Sequence, residues 1–286
     1  MKKSAHRNQI LKYAILKRAA QGAMALSFAA LLAVVAFVLA RGLPHINFQL
    51  LFGGYSGKSP SIKPAAFGTL CLVLVSISIS APIGIGSAIF LAEYTKSGSR
   101  FVKISRLATE TLAGIPSIVY GIFGYLVFVA GLGFKYSLIG GGITLSIMIL
   151  PVIVRSTEEC LLAVPRSLRE GSFALGSSKT RTIFSVVLPC AASGIATSVI
   201  LAVGRVISES AALMLTVGMV VDKMPQSLAS PGTSLALDVY YFGSFGYPEQ
   251  AAAASAALLI LVAAINISAA LLCKIFGNGQ GYGQQI

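Results

Sequence analysis

An arginine and a glutamate four residues apart, Arg205 and Glu209, interrupt a long apolar run in the second half of the chain. If residues 190–216 form one helix with a rise of about 1.5 Å per residue, Arg205 lies near the bilayer midplane and shares a face with Glu209. An ionised arginine is costly there unless it is paired, and such residues usually mark the path of a substrate. Two interpretations follow: an internal ion pair that locks the helix, or an arginine that binds an anion and is held by Glu209 when the path is empty.

The chemistry of the guanidinium group indicates which anion the second interpretation favours. Arginine holds a tetrahedral oxyanion through two parallel hydrogen bonds. A nearby carboxylate can also accept a hydrogen bond from a protonated oxyanion, which favours phosphate over sulfate at neutral pH. The same helix face continues at intervals of four and three residues, through Ser198, Ala202, Arg205, Glu209, Ala212 and Thr216. We expect this face to line a polar cavity, and Arg155 to be either a second path residue or an anchor at the membrane boundary.

A second polar element, Glu170–Pro189, separates two apolar runs. Pro165 suits the first turn of a helix, and Leu168 and Leu175 lie seven residues apart on one face of that helix. Gly176 stands where a left-handed residue would end the helix, and the serine pair after it can cap another one. The pattern predicts a helix, a tight turn and a second helix on the water side of a membrane, built to bind a partner. An amphipathic hairpin that lies at the membrane interface without a partner is the alternative.

The composition is that of an integral membrane protein. Of 286 residues, 56% are apolar and 11% are charged, whereas soluble domains carry about a quarter charged residues. The formal net charge of +13 does not indicate nucleic-acid binding, because the basic residues stand at the ends of apolar runs. The four cysteines lack C-x-x-C spacing, so we expect reduced, apolar side chains and neither a metal nor a cofactor.

Six apolar runs are long enough to cross a membrane as helices. They cover about 19–40, 67–91, 107–132, 137–154, 190–216 and 250–272. The first follows a basic start, as in a signal peptide, but its length of about twenty-two residues fits about 30 Å of hydrocarbon better. Sixteen lysines and arginines fall in the N-terminus, the 92–106 and 155–189 loops and at Lys274, against five on the opposite side. By the positive-inside rule, both termini and the hairpin are predicted to be cytoplasmic.

Enzymatic chemistry and nucleotide binding are not expected of this chain. The sequence GGYSGKS, Gly53–Ser59, approaches a phosphate-binding loop, but Phe52 occupies a required glycine position and no strand precedes it. The sequence contains no pattern of a nucleophile beside a base and no metal-ligand cluster, and Glu209 is the only acid well inside a span. A membrane enzyme is therefore disfavoured, and a passive channel or scaffold would leave the hairpin without a role.

The hairpin resembles the cytoplasmic loop signature of the membrane subunits of ATP-binding-cassette (ABC) importers. In that signature a glutamate is followed six residues later by glycine and, thirteen residues further on, by proline preceded by leucine. The residues in register are Glu170, Gly176, Leu188 and Pro189. The usual alanine pair is replaced by Gly171-Ser172, and Val186 stands where isoleucine is common. The resemblance implies that coupling to a separate ATPase involves Glu170, Leu168, Leu175, Gly176 and Pro189.

Two spans are similar to motifs of the phosphate-importer permeases. Gly204–Gly218 resembles their fifth-helix motif and Glu110–Gly124 their third-helix motif. The run that follows Glu209 resembles the PstA type of permease. Ser208 stands where the family commonly has glycine, and it adds a hydroxyl beside the proposed path.

The resemblance also implies a fold. We expect an all-α polytopic membrane protein with six transmembrane helices and the type I ABC importer permease fold, with the coupling hairpin just before the fifth span. The expected organisation is a cytoplasmic basic N-terminus over 1–18, a peripheral first helix and outer loop over 19–66, a five-helix transmembrane domain over 67–276 with its coupling loop at 155–189, and a flexible tail over 277–286.

The function implied by the resemblance is that of a permease subunit without a catalytic site of its own. It would move inorganic phosphate across the bacterial cytoplasmic membrane while a separate subunit hydrolyses ATP. The implied partners are a second, PstC-type permease, a dimer of cytoplasmic ATP-binding subunits, an extracytoplasmic phosphate-binding protein and membrane lipid, with no nucleic acid. The alternatives are a permease for another oxyanion, such as phosphonate, molybdate or sulfate, and a non-ABC membrane protein with an internal ion pair.

Overall fold

Helices connected by short turns build the chain. A computed structural model describes residues 2–54, 61–96 and 98–278, and no β-strand occurs within these ranges. Residues 55–60, which include most of the sequence that approaches a phosphate-binding loop, and the end of the predicted tail, 279–286, lie outside the described residues. The α-helices are α1 (Lys2–Gly42), α2 (Phe48–Phe52), α3 (Lys63–Ile89), α4 (Arg100–Ala113), α5 (Ser117–Gly124), α6 (Leu138–Ala163), α7 (Arg166–Ala174), α8 (Lys179–Thr182), α9 (Leu188–Ile207), α10 (Ala211–Thr216), α11 (Leu235–Ser244) and α12 (Pro248–Asn278). Stretches of π-helix follow α3 (Phe90–Tyr94) and α5 (Tyr125–Gly131) and join α8 to α9 (Ile183–Val187).

α6 is the central helix of the bundle. Within its most apolar stretch 67% of the residues are buried, against 28% for the spans of α3 and α9, 17% for α12 and none for α1. Its buried side chains pack with apolar residues of α3, α5, α9, α10 and α11. Glycines allow the close approach: a Cβ on Gly142 would lie 2.5 Å from Cγ1 of Val75 on α3. Small and apolar residues on every side of α6 let neighbouring helices approach it from all directions, which suits its central position.

α1 lies at the edge of the bundle. Its apolar side chains are almost all exposed, and it packs against α12 at the end that carries Gly42. A Cβ on Gly42 would lie 2.5 Å from the Cβ of Ala256, so small residues set this contact. The exposed apolar surface of α1 suits contact with lipid.

The six-span prediction is confirmed, but the third span is not one straight helix. Five single helices are long and apolar enough to cross a membrane, and Arg100–Ala113 with Ser117–Gly131 forms a sixth span that is bent by 95°. Pro116 explains the bend, because it has no N–H to donate and it disfavours a helical conformation at Ile115. The hydroxyl of Tyr120 donates to the carbonyl of Leu112 at 2.8 Å and so satisfies a backbone group near the break.

The fifth span differs from the predicted helix at both ends. At its start, α8, the π-helical turns and α9 form one helical run from Lys179 to Ile207, so the helix begins before the predicted residue 190. At its end, the predicted helix to residue 216 is interrupted at 208–210 and resumes as α10. The Ser208 hydroxyl donates to the carbonyls of Gly204 at 2.8 Å and Arg205 at 3.2 Å, a local bond that competes with the helical ladder.

The segment from 217 to 247, at the end of the bundle opposite the hairpin, folds back against the spans. We call it the far-end segment. Its helix α11 packs on α12 and α3, and the backbone N–H of Leu235 donates to Oγ1 of Thr69 at 3.0 Å. Asp238 of α11 is fully buried and accepts a hydrogen bond from Oγ1 of Thr233 at 2.6 Å. A polar segment between two spans is therefore part of the packed structure.

Candidate functional site

The hairpin has the predicted shape. α7 begins at Arg166 with Pro165 as its N-cap, and Gly176 has the left-handed φ of +79° that the sequence predicts. The N–H of Gly176 donates to the carbonyl of Phe173 at 2.9 Å, and the N–H of Ser177 to that of Ser172 at 3.2 Å. This pair of bonds is the Schellman motif, which ends a helix at a glycine and satisfies its last carbonyls. Ser178 then caps α8 as predicted, since its hydroxyl accepts from the N–H of Arg181.

The tip of the hairpin presents apolar side chains to solvent. α7 has no buried residue, and the side chains of Leu168 and Leu175 are 43% and 88% exposed. Phe173, which the sequence analysis did not single out, is 47% exposed on the same helix. Glu170 is also exposed. Exposed apolar residues next to charged ones are typical of a surface that binds another protein.

The base of the hairpin is anchored in the bundle. Ile183 and Val187, in the π-helical turns, are buried; Val187 packs against residues of α3, α6 and α9. Pro189, predicted to couple, is an exposed residue in the first turn of α9, where its missing N–H leaves no donor unpaired. Arg169 and Glu93 form an ion pair at this base with N and O 2.7 Å apart. The sequence analysis missed this pair because its members are 76 residues apart.

Arg205 lies at about the middle of the bundle and its side chain is exposed. Gly194 of α9 lies against Cys160 of the antiparallel helix α6, where an added Cβ would be 2.6 Å from the sulfur. Eleven residues further along α9, Arg205 is therefore level with Ile149, near the middle of α6. Beyond Arg205 the chain packs against α5, where a Cβ on Gly121 would lie 2.8 Å from the Cα of Ala212.

The predicted pairing of Arg205 with Glu209 is wrong. Among the described residues, none of the ion pairs includes either side chain. The physical reason is the interruption at 208–210, which removes the shared helix face. The carboxylate of Glu209 instead accepts a hydrogen bond from the backbone N–H of Ala212 at 3.3 Å and so caps α10, where the helix dipole favours a negative charge.

The predicted stripe of small residues does not line a cavity. Its members Ser198, Ala202, Ala212 and Thr216 are buried in the packed core, and the hydroxyl of Thr216 donates to the carbonyl of Ala212 at 2.9 Å. Their small size allows helices to approach, as shown by Gly121, where a Cβ would lie 2.8 Å from the Cα of Ala212. Thr216 is therefore a packing residue in this structure, whereas Ser208 is exposed beside Arg205.

Arg155 belongs to a group of charges between α4 and α6. Its guanidinium donates to Glu110 of α4 at 3.2 Å and to Glu159 at 3.1 Å. Next to it, Arg106 of α4 donates two hydrogen bonds to Glu158 of α6, at 2.7 and 3.0 Å. These charges line a cavity of about 270 Å³. Arg155 is 55% exposed, so its charge is accessible from that cavity.

The two predicted path arginines belong to elements that contact the two halves of the third span. Arg155 contacts Glu110, near the end of α4, and Arg205 lies at the end of α9, just before α10, which packs against α5. In the part of the chain that the structure describes, no group of three or more His, Cys, Asp or Glu side chains could hold a metal ion. The described cysteines Cys71 and Cys160 are free thiols. The arrangement therefore offers fixed positive charge beside a discontinuous helix.

The class of protein follows from a family match. The family of binding-protein-dependent transport system inner membrane components matches residues 80–281, and the chain belongs to this family. It is a multi-pass protein of the cytoplasmic membrane and a transport component.

Curated relatives extend over most of the chain. The Probable ABC transporter permease protein YqgI of Bacillus subtilis is 32% identical over 259 residues, which cover 84% of this chain and 88% of that protein. The Phosphate transport system permease protein PstA of Mycobacterium leprae is 36% identical over 208 residues, which cover 71% of this chain and 67% of that one. PstA of Haemophilus influenzae is 32% identical over 237 residues, 80% of this chain and 82% of that one.

Solved structures confirm the predicted fold. A chain of the MetNI methionine ABC transporter, solved in inward-facing conformations, has a TM-score of 0.60 at 20% identity and covers 73% of this chain and 93% of that one. A chain of a bacterial alginate ABC transporter has a TM-score of 0.55 at 14% identity, with 88% and 92% covered. This chain has the type I ABC importer permease fold with six transmembrane helices, as predicted.

Proposed function

We propose that this chain is the permease subunit of an ATP-driven importer of inorganic phosphate. The observation that carries the proposal is Arg205, an exposed cation at mid-membrane depth that has no ion pair among the described residues. A charge at this depth is costly unless it faces a polar path, and a guanidinium suits a tetrahedral oxyanion. The relatives named as phosphate transport permeases of the PstA type support phosphate as that oxyanion.

The path in this proposal passes the break in the third span. Discontinuous helices in transporters commonly form substrate sites, since their ends and freed backbone groups face the path. Arg205 provides the charge at mid-depth, and Ser208 adds a hydroxyl beside it. Arg155 provides a second charge nearer the hairpin, partly neutralised by Glu110 and Glu159. Glu209 contributes by capping α10, which fixes the backbone just beyond Arg205.

The hairpin is the docking element for a separate ATP-binding subunit. Leu168, Phe173 and Leu175 supply exposed apolar contacts, Glu170 an exposed charge, and Gly176 the tight turn between the two arms. ATP hydrolysis takes place on that subunit, and this chain has no catalytic site of its own. The excess of lysine and arginine on the hairpin side supports an orientation with the hairpin and both termini in the cytoplasm.

A second permease subunit covers the face that carries Arg205. Ile118, Ile122 and Phe123 of α5 are exposed near the break, and the exposed Arg205 precedes α10, which packs against α5. A face with an ionised residue at mid-depth is not suited to lipid, so a protein surface or a polar path must lie against it. A homologous permease of the PstC type fits this position. An extracytoplasmic phosphate-binding protein would deliver the substrate at the far end.

Transport by the reconstituted assembly tests the proposal. The chain is co-expressed with a candidate partner permease and ATP-binding subunit, purified, and placed in liposomes with the binding protein. We expect uptake of radiolabelled phosphate that requires ATP and is not reduced by excess sulfate, molybdate or phosphonate. Uptake that is strongly inhibited by one of those anions would move the assignment to that anion. A chain that never co-purifies with an ATP-binding subunit would overturn the proposal.

A further inference from the structure

Arg169 connects the hairpin to the ends of two membrane-spanning helices. Arg169 lies on α7, and its guanidinium donates a hydrogen bond to the carboxylate of Glu93 with N and O 2.7 Å apart. Glu93 lies in the π-helical turns at the end of α3. The same guanidinium donates to the carbonyls of Val164 at 2.6 Å and Leu161 at 2.8 Å, at the end of α6. Three elements that are separate in the sequence thus meet at one side chain.

The surroundings of this ion pair distinguish it from a surface contact. The side chains of Arg169 and Glu93 are 17% and 10% exposed, so both charges are largely removed from solvent. The last carbonyls of a helix have no partner within the helix, and here Arg169 supplies donors to two of them. A positive charge also complements the negative end of the α6 dipole. The planar guanidinium presents its N–H groups in a fixed fork on separate nitrogens, whereas the three donors of a lysine ammonium share one nitrogen.

The residue after Glu93 holds the other arm of the hairpin. The ring of Tyr94 lies 5.2 Å from the ammonium group of Lys179, and its hydroxyl is 3.5 Å from that of Thr180, both on α8. Between the arms, the hydroxyls of Ser172 and Thr182 are 2.9 Å apart. The π-helical end of α3 therefore contacts both arms of the hairpin through two consecutive residues. Such π-helical turns are frequent at functional positions.

We propose that Arg169 is a positioning residue that makes the hairpin and the hairpin-side ends of α3 and α6 move as one body. A displacement of α7 by an ATP-binding subunit would then reach the second span through Glu93 and the central span α6 through Leu161 and Val164. The inference rests on the proposed function, because it requires a partner that moves the hairpin. It assigns to Arg169 the transmission of that movement and to the exposed tip the binding of the partner.

On α7, the residues that would bind the partner and the residue that would transmit its movement point in different directions. Leu168 and Glu170 flank Arg169 on α7 and are exposed, whereas the Arg169 side chain is directed into the bundle. Arg166, on the same helix, is exposed and its side chain makes no hydrogen bond or ion pair with the residues that the structure describes. Arg166 is therefore a matched control, since its loss removes one positive charge from α7 but no ion pair with α3 or α6.

The test compares Arg169→Met, Arg169→Lys, Glu93→Gln and the control Arg166→Met in the reconstituted transporter. Three quantities are measured: recovery of the ATP-binding subunit with the chain, ATP hydrolysis, and phosphate taken up per ATP hydrolysed. We expect Arg169→Met to keep normal recovery of the ATP-binding subunit and to lower phosphate per ATP about tenfold, the size of a typical coupling free energy. Arg169→Lys and Glu93→Gln should lie between this variant and the wild type, and Arg166→Met should match the wild type.

The outcomes separate this inference from the proposed function. If Arg169→Met loses the ATP-binding subunit in proportion to its loss of uptake, Arg169 only maintains the hairpin and the inference is overturned. Unchanged phosphate per ATP in Arg169→Met, with normal recovery, also overturns it. If the wild-type chain itself fails to bind an ATP-binding subunit, the proposed function fails first.

Discussion

Arg169 at the base of the hairpin and Arg205 near the middle of the bundle have opposite surroundings. Arg169 is largely buried and donates to one carboxylate and two carbonyls at 2.6 to 2.8 Å. Arg205 is exposed in the isolated subunit and has no ion pair within the described residues. The fold supplies three acceptors to the guanidinium of Arg169 and leaves the donors of Arg205 available.

The number of internal partners separates a charge that holds the protein together from one that is free to bind a ligand. A buried charge with three acceptors is costly to remove, because its partners would remain buried and unpaired. An exposed charge in a span is stable only when an anion, water or another subunit contacts it. Arg155 is intermediate, since it is 55% exposed and has two carboxylate partners.

The largest effect is expected at Arg205. Arg205→Gln should abolish phosphate uptake, a loss of about a hundredfold or more, because the path loses its charge at mid-depth. Arg205→Lys should also be severely impaired, since lysine keeps the charge but not the planar pair of donors. Uptake in liposomes, normalised to inserted protein, is the measurement, and recovery of the ATP-binding subunit should be normal. Uptake near the wild-type rate in Arg205→Gln would reduce this residue to a structural role.

A change at the hairpin turn should weaken binding of the ATP-binding subunit, whereas a change at Arg205 should leave that binding normal. Gly176→Leu places a branched side chain at a φ of +79°, which strains the turn and alters the surface that meets the ATP-binding subunit. We expect normal membrane insertion but about tenfold lower recovery of the ATP-binding subunit, with uptake reduced in proportion. Gly171→Ala is the matched control, since Gly171 lies on α7 and an added Cβ there would meet no atom within 4 Å. Equal recovery for Gly176→Leu and wild type would contradict the docking role.

A smaller effect is expected at Arg155. Arg155→Gln should lower uptake by about tenfold at most, because Arg205 still provides charge at mid-depth and the partners of Arg155 are themselves exposed. Arg106→Gln is the informative comparison: it would leave Glu158, whose side chain is 8% exposed, without its two hydrogen bonds. That variant should lower the amount of folded protein more than Arg155→Gln does. Fluorescence-detected size-exclusion chromatography after heating measures the amount of folded protein. A larger loss in Arg155→Gln than in Arg106→Gln would contradict the structural role given to the ion pair of Arg106 and Glu158.

The smallest effect, on stability alone, is expected at Asp238 in the far-end segment. Burial raises the pKa of Asp238 to about 7, while the hydrogen bond from Thr233 acts in the opposite direction. In the unfolded chain the pKa is near 3.8, so the folded state binds the proton more tightly between these values. The contribution of Asp238 to the free energy of unfolding is therefore largest below pH 3.8 and falls as the pH rises to about 7.

Asp238→Asn isolates this contribution. The amide oxygen can still accept from Thr233, and the side chain no longer ionises. We expect the variant to be more stable than the wild type at pH 8 and closer to it at pH 5, with unchanged phosphate uptake. Thermal unfolding in detergent at the two pH values is the measurement. If the unfolding temperatures of the wild type and Asp238→Asn differ by the same amount at both pH values, ionisation of Asp238 is not the cause of that difference.

The sequence was sufficient for features that depend on neighbouring residues. Runs of apolar residues predicted the six spans, and Gly176 with the following serines predicted the turn of the hairpin. Each depends on interactions within one helix turn or on the hydropathy of a single segment. The interruptions at 114–116 and 208–210 also have local causes, in Pro116 and in the hydroxyl of Ser208. They were missed because apolar residues flank both interruptions, so each pair of helices was taken as one continuous span.

The tertiary structure alone decided which charges meet. Arg169 and Glu93 are 76 residues apart, and Arg155 and Glu110 are 45 apart, so their pairing depends on how the helices cross. The expected pair of Arg205 and Glu209 failed for the converse reason: adjacency on an ideal helix requires that the helix continue, and this one ends at Ile207. Hydropathy determines that a segment crosses the membrane. The packing of that segment against its neighbours determines which of its polar groups are satisfied and which remain for a ligand.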